Sequence, residues 1–317
     1  MVFFDSSPAF RTFYPMRDVL EYIAYRFVGF FVRLLPWRGV SVFGSALGSL
    51  IFYVFHFRKK LTLQNLRHAF PKKSQNEIKT IARASYQNVC ISLLEVFWFS
   101  RFTPKKVRAI VKSDDLHKMD EVLAEGKGLI MLSGHFGNWE LIALSVGLLS
   151  GHPLTIIVQE QRNKFVDRFM NSARTMFGNK VVVMDKAPRE ILRELRDNGV
   201  VAMLADQSGP QEGLFVRYFH RPAATHKGPA VFSLRANAPI VMAFLIREGN
   251  GRYKIELADV DTSTLTGTDD EKIRELTQRH VALLEHYVAR YPDHWLWMHK
   301  RWKHVDKAPA EFATEET

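Results

Sequence analysis

The chain predicts an α/β fold in which a central mixed, mostly parallel sheet is covered by helices, preceded by a helical region suited to a membrane surface. Three observations carry this reading. From residue 128 on, short apolar runs at 128–133, 154–158, 180–184 and 200–204 alternate with helix-length segments, the succession that parallel strands joined by crossover helices produce. Upstream, Val40 to Phe57 is a stretch of 18 residues without a formal charge, closed by Arg58, Lys59 and Lys60. The charge is also divided: residues 1–113 carry 18 Lys and Arg against 5 Asp and Glu, whereas residues 114–317 carry 26 against 28.

At 317 residues the chain is long enough to bury a substantial core. Residues 1–17 lack the charged start, apolar run and small-residue site of a removable signal peptide. Val19 to Leu35 is apolar and aromatic, interrupted by Glu21, Arg26 and Arg33, and predicts a helix lying on a membrane surface or on a protein core until Pro36 ends it. As a helix, the uncharged stretch 40–57 reaches about 27 Å, just short of a full hydrocarbon core. It predicts a partly inserted anchor with its cationic end on the cytoplasmic side, the alternative being a buried hairpin of a soluble protein. Within it Gly44 and Gly48 form a small-xxx-small pattern that admits a second helix at close range.

Leu61 to Phe70 and Gln75 to Phe99 read as amphipathic helices, with Ser74 and Glu77 spaced as a capping box. Cys90 lies among Val89, Ile91 and Leu93 with no second cysteine to pair with, which predicts a buried structural thiol and a reducing compartment. Arg101 to Lys112 reads as a basic connector. It divides a helical membrane-associating region, 1–110, from an α/β domain, 111–303, and a polar tail, 304–317. Further strands at 239–246 and 252–258, a helix over 269–290 and the segment His294 to Met298 complete the domain.

A basic surface attracts nucleic acid, anionic lipid or an acidic protein. No nucleic-acid motif accompanies the charge here and the basic region is also apolar, so membrane lipid is the expected partner and nucleic acid is not.

The chemistry centres on Gly128 to Glu140. A buried strand runs into a glycine-flanked turn carrying His135, and a helix opens at Glu140. Residues five apart on one helix diverge by about 140°, so a turn at His135 is needed for Glu140 to reach the imidazole. A carboxylate on one ring nitrogen fixes the tautomer and raises the basicity of the other, giving a general base for an acceptor hydroxyl. The free amides of the turn and helix end are expected to serve a developing oxyanion. The spacing alone is weak, since chance supplies about one such pair in a chain with 12 His and 33 acids. His280 and Glu285 repeat it inside a helical stretch, where it reads as a decoy on a solvated face.

The ends of neighbouring strands are expected to add a polar rim of Gln159, Glu160, Arg162, Asp206 and Gln207. There is no G-x-S-x-G elbow, so covalent hydrolase chemistry is not indicated. His294, His299 and His304 recur without a ligand geometry, and no metal is expected. The closing segment His294 to Lys303, dense in tryptophan and cations, reads equally as a final strand with interfacial aromatics or as a phosphate or headgroup contact.

Ser133-Gly134-His135-Phe136-Gly137-Asn138-Trp139-Glu140 resembles the H-x4-D/E acyltransferase signature, and more narrowly that of the bacterial lipid A biosynthesis acyltransferases within the glycerolipid acyltransferase superfamily. Asn65-Leu66, Ala69-Phe70-Pro71, Asn163 to Asp167 leading to Arg174, Leu204 to Gln207 and Trp295 to Lys303 extend the resemblance over residues 20–303. It implies transfer of an acyl chain from an acyl carrier protein thioester to a hydroxyl of a phosphorylated glucosamine lipid at the inner face of the cytoplasmic membrane. His135 is then the base and Glu140 its partner, with Arg174, Asp206, Gln207, Asn138 and Arg162 as substrate-binding candidates. No cofactor is implied beyond the acyl donor, acyl-ACP or acyl-CoA, and the acidic carrier protein becomes a second candidate partner for the basic N-terminal region. The chain departs from the family at Gln159, where many relatives carry arginine. If a helix begins near Asn163 at the catalytic edge, Arg174 lies about 16 Å down it and away from the base. The alternatives are an acyl-CoA-dependent enzyme acting on a lysophospholipid or a phosphoinositide mannoside, and a catalytically inactive lipid-binding membrane protein.

Overall fold

The computed structural model describes residues 15–315; the N-terminal residues considered for a signal peptide lie outside this range up to residue 14. Helices come first. α1 (Met16–Leu34), α2 (Trp37–Leu50), α3 (Lys59–Ala69), α4 (Gln75–Glu95) and α5 (Pro104–Ile110) precede the first strand, and α2 is prolonged by a π-helical turn through Phe55. The capping box of α4 forms as the spacing predicts, Ser74 and Glu77 each bonding the other's backbone.

The α/β part follows as β1 (Val111–Ser113), α6 (His117–Leu123), β2 (Leu129–Ser133), α7 (Trp139–Ser150), β3 (Leu154–Val158), α8 (Lys164–Thr175), β4 (Lys180–Val183), α9 (Ala187–Arg196) and β5 (Val200–Leu204). A hairpin of β6 (Leu214–Tyr218) and β7 (Arg221–Thr225) leads to α10 (Gly228–Ala236), β8 (Ile240–Gly249), β9 (Arg252–Val260) and α11 (Asp269–Arg290). Seven strands form one sheet in the order β1-β9-β8-β2-β5-β3-β4, parallel throughout except where β8 meets β9. This is the expected mixed, mostly parallel sheet. Every residue of β2 is buried because helices cover both faces of the strand, which is why it reads as an unbroken apolar run.

Three elements differ from the sequence reading. The basic connector folds as α5 and the edge strand β1, and the β6–β7 hairpin lies where no strand is expected. The closing segment makes only an isolated bridge, Phe136 to Trp295, and then turns inward, burying Trp295, Trp297 and Arg301 completely. The polar tail packs on the domain as far as Phe312, whose ring centroid lies 6.4 Å from that of Phe215.

Two glycines set how the N-terminal helices sit. A Cβ at Gly44 would lie 2.8 Å from the Ile91 Cα, and one at Gly48 would lie 2.5 Å from the Gln87 Cα, so α2 crosses α4 nearly backbone to backbone. The other side of the pair α1 and α2 is open: Phe27 is 63% exposed, Val42 72% and Phe55 67%. The helix Trp37–Phe55 is long and apolar enough to cross a membrane, and only 22% of its apolar window is buried. Cys90 is buried and unpaired, and burial pushes its thiol up to about 11.

Because Gly48 meets backbone rather than a movable side chain, Gly48→Leu is expected to lower stability by about 1–3 kcal/mol. Val42→Ala on the exposed face should stay within about 0.5 kcal/mol. Thermal unfolding of both variants in detergent checks this, and equal melting temperatures would contradict the close crossing.

Candidate active site

His135 and Asp206 meet because of strand register. β2 and β5 are parallel neighbours with Ser133 opposite Leu204, so the residues two places beyond that pair emerge side by side at the carboxyl edge. Gly137 makes the turn possible: its φ is +58°, and a Cβ there would come within 2.0 Å of the Leu245 carbonyl oxygen.

The Asp206 carboxylate is buried and receives three donors. Its Oδ1 lies 2.8 Å from His135 Nδ1, and its Oδ2 accepts from the His135 backbone N–H at 2.8 Å and from Trp295 Nε1 at 2.9 Å. With Nδ1 donating to a carboxylate, Nε2 carries the lone pair, and the Gln207 amide lies 3.3 Å from it. Burial on its own would lower the imidazole's pKa, but the charge and hydrogen bond of Asp206 and the charge of Glu140 outweigh it, so the pKa is raised. Burial likewise opposes ionisation of Asp206, yet the His135 contacts and Trp295 bring it down to about 2. Asp206 therefore stays charged beside a strengthened base.

Glu140 does not hold the imidazole. It occupies the second position of α7, and both its oxygens are taken by Arg174, Nε at 2.8 Å and Nη2 at 2.6 Å. The expected role of carboxylate partner thus falls to Asp206, while Glu140 acts on His135 only through its field. Arg174 is in the last turn of α8, and α8 starts at Lys164 as expected. The loop before it does not stay at the catalytic edge. Asn163 donates to the Asp18 carbonyl of α1 at 2.8 Å, and Arg162 pairs with Glu21 at 2.6 Å, so the helix starts against α1 and returns its far end to Glu140.

Arg162 accordingly staples α1 to the domain, and Gln159 and Glu160 are exposed. Asn138 turns inward: its side chain caps α7 at Leu141 N and donates to the buried Glu95 at 2.6 Å. Glu95 pairs with Arg247 at 2.9 Å and also bonds the Tyr253 hydroxyl. A buried pair of this kind is costly to form and costlier to break. Neither Glu95 nor Arg247 stands out in sequence, lying within an amphipathic helix and a strand end.

The turn amides are not free for an oxyanion, as those of His135, Phe136 and Gly137 donate to Asp206, the Gly134 carbonyl and the His294 carbonyl. His280 is no solvated decoy: it is 1% exposed, and burial lowers its pKa to about 3. Its spacing partner Glu285 points elsewhere and accepts from Phe219 N. His294 and His299 accept backbone N–H bonds from Arg247 and Ser208. Among the described residues no group of three His, Cys, Asp or Glu side chains is arranged to hold a metal.

The family model of the bacterial lipid A biosynthesis acyltransferases matches residues 11–304. The chain belongs to that family. The acyltransferase is 23% identical over 274 residues to the lipid A biosynthesis lauroyltransferase of Escherichia coli, covering 85% of this chain and 87% of that one. It is 21% identical over 275 residues to a lipid A biosynthesis acyltransferase of Haemophilus influenzae, covering 85% and 84%. A phosphatidylinositol mannoside acyltransferase of Mycobacterium tuberculosis matches at 24% over 192 residues, covering 59% of this chain and 58% of its own.

Two predictions follow the geometry of this acyltransferase. Removing the Asp206 charge withdraws what raises the His135 pKa, so in Asp206→Asn the acid limb of kcat/KM should move to lower pH while the rate falls about 10²–10⁴-fold. An unmoved limb in the pH profile would contradict the coupling. Arg174→Lys cannot restore two parallel bonds to Glu140, and should lose activity and about 1–3 kcal/mol of stability, read by kinetics and thermal melting.

Proposed function

We propose that the chain moves a fatty acyl group from an acyl carrier protein thioester to a hydroxyl of a lipid A precursor at the cytoplasmic face of the inner membrane, with His135 as general base. The observation that carries this reading is an imidazole whose Nδ1 is tied to a buried carboxylate while Nε2 remains an acceptor at the strand edge. Side-chain exposure of 19% at His135 leaves it reachable. Leu204 at the end of β5 and Met184 after β4 are 40% and 53% exposed, so apolar surface lies open at the same edge for an acyl chain.

In this mechanism the acceptor hydroxyl displaces the Gln207 amide and gives its proton to His135 Nε2 as its oxygen bonds to the thioester carbonyl carbon. Asp206 stabilises the imidazolium so formed. The tetrahedral intermediate collapses with cleavage of the carbon–sulfur bond, and Nε2–H returns the proton to the departing thiolate. An ester and a free thiol result, with no redox change and no cofactor required. Glu140 and Arg174 form a fixed ion pair at the head of α7, positioning that helix and adding to the field that favours the imidazolium.

The membrane setting rests on the exposed apolar face of α1 and α2 and on the basic charge of the N-terminal third. That charge also suits an acidic carrier protein. A second reading is acylation of a phosphoinositide mannoside from acyl-CoA; the match to the mycobacterial enzyme favours the acceptor in it.

His135→Ala is expected to abolish acyl transfer while the purified protein still melts cooperatively, destabilised by about 1–3 kcal/mol through the lost donor to Asp206. Full activity in that variant would sink the mechanism. Assayed against acyl carrier protein and CoA thioesters with a lipid A precursor and a phosphoinositide mannoside, the wild type should use the carrier protein thioester and the lipid A precursor. Turnover confined to CoA and the mannoside would select the second reading.

A further inference from the structure

A cleft of about 510 Å³ lies between α3 and the closing segment, walled by Gln64 and Asn65 on one side and Arg221, Lys300, Trp302 and Lys303 on the other. Three cations face one concavity without a carboxylate in the lining, and among the described residues none of them has an ion-pair partner. Some exposed cations on this chain pair with a carboxylate, as Arg17 does with Glu21 and Arg193 with Glu190, whereas these three share one concavity. Like charges gathered unpaired at this range repel one another, and the arrangement is relieved by an anion between them.

The surroundings say which kind of anion. A short chain of contacts connects the cleft to the catalytic histidine: Lys300 follows His299 directly, Ser208 N donates to His299 Nε2 at 3.0 Å, and the neighbouring Gln207 reaches His135. Asn65 fixes the floor by donating to the carbonyls of Trp297 and His299 at 2.9 and 3.0 Å. On the other side α3 begins just after the exposed Phe55 and Phe57 of the apolar face. The chain on one side of the cleft thus leads to the exposed apolar face, and the chain on the other leads through His299 and Ser208 to the residues around His135. The concavity, with Lys300 and Lys303 exposed at its rim, has room for a phosphorylated headgroup.

We propose that this cleft binds a phosphate group of the acceptor lipid through Arg221, Lys300 and Lys303, holding the headgroup so that its hydroxyl reaches His135. The inference deepens the proposed function and rests on its reading of the acceptor as an anionic glycolipid. The three cations come from β7 and from the turn after Trp297, elements locked together by buried Arg301, which donates to the Ala224 carbonyl at 2.6 Å and to Thr225 Oγ1 at 2.7 Å. The cleft is thus held open before any ligand arrives, and little ordering is needed on binding.

The test reads binding, not turnover, by titration calorimetry on the full chain in zwitterionic detergent. The probes are a phosphorylated glucosamine disaccharide lipid, the same lipid without phosphate, and inorganic phosphate. Wild type is expected to bind the phosphorylated lipid at least about tenfold tighter, a preference that weakens with salt and that Arg221→Gln/Lys300→Gln/Lys303→Gln removes. His135→Ala should keep it, so a failed catalytic mechanism and a failed phosphate site give different results. Competition by inorganic phosphate would support recognition of the phosphate group alone, and its absence together with the lipid preference would support the headgroup as the unit. Should the triple variant unfold, Lys300→Gln and Lys303→Gln at exposed positions carry the test, each weakening the phosphorylated lipid about two- to fivefold. Equal wild-type affinity for the two lipids overturns the proposal. So does a variant that keeps the preference but loses binding of an acidic acyl carrier protein, which would make the patch a protein-docking surface.

Discussion

The Asp206 carboxylate is the junction on which the site depends. It joins the end of β5 to the turn after β2 through His135, and to the closing segment through Trp295. Three parts of the chain separated by 71 and 89 positions are thereby fixed by one side chain. A buried carboxylate left without donors would be protonated or expelled, so its three bonds are what keep it both inside and charged. One of the turn amides, that of His135, is spent on this carboxylate, and through Trp295 the closing segment becomes a wall of the site.

Behind that junction stands a second buried pair, Glu95 with Arg247, reaching the site through Asn138. The head of α7 is held from below by this pair and from the side by Glu140 with Arg174. Charge in the interior is concentrated around one turn of chain, Gly134 to Glu140. Away from it, the buried Arg301 ties the closing segment to β7, while the buried strands are apolar.

How much was legible follows from what each residue's environment imprints locally. β2, β3 and β5 are apolar runs because buried parallel strands must be, and α4 carries its cap in its own first turn. β1 is three residues at a sheet edge, and the β6–β7 hairpin turns at Phe219 and His220, both at positive φ without glycine, so neither leaves a pattern. His135 is visible because strand, turn and helix are consecutive. Its partner is not, because strand order decides that β5 lies beside β2, and nothing within either strand encodes the neighbour. The 16 Å estimate for Arg174 is sound as helix geometry; what it lacks is the anchoring of Asn163 and Arg162 on α1, which moves the start of the helix and not its length. His280 misleads for the converse reason, since a polar residue on a periodic face reads as solvated until α11 is known to pack against the sheet and the β6–β7 hairpin.

The crossing of α2 on α4 has a consequence for what the site can reach. Gly48 touches α4 at Gln87, Gly44 at Ile91, and one turn further the same helix presents Glu95 to the catalytic turn. Along α4 these points span about 12 Å of rigid rod. On the proposed reading, in which the open face of α2 sits in a lipid surface, α4 would work as a gauge that sets the altitude of the imidazole above that surface. Acceptors would then be sorted by how far a hydroxyl stands off the bilayer, before any pocket has examined their shape.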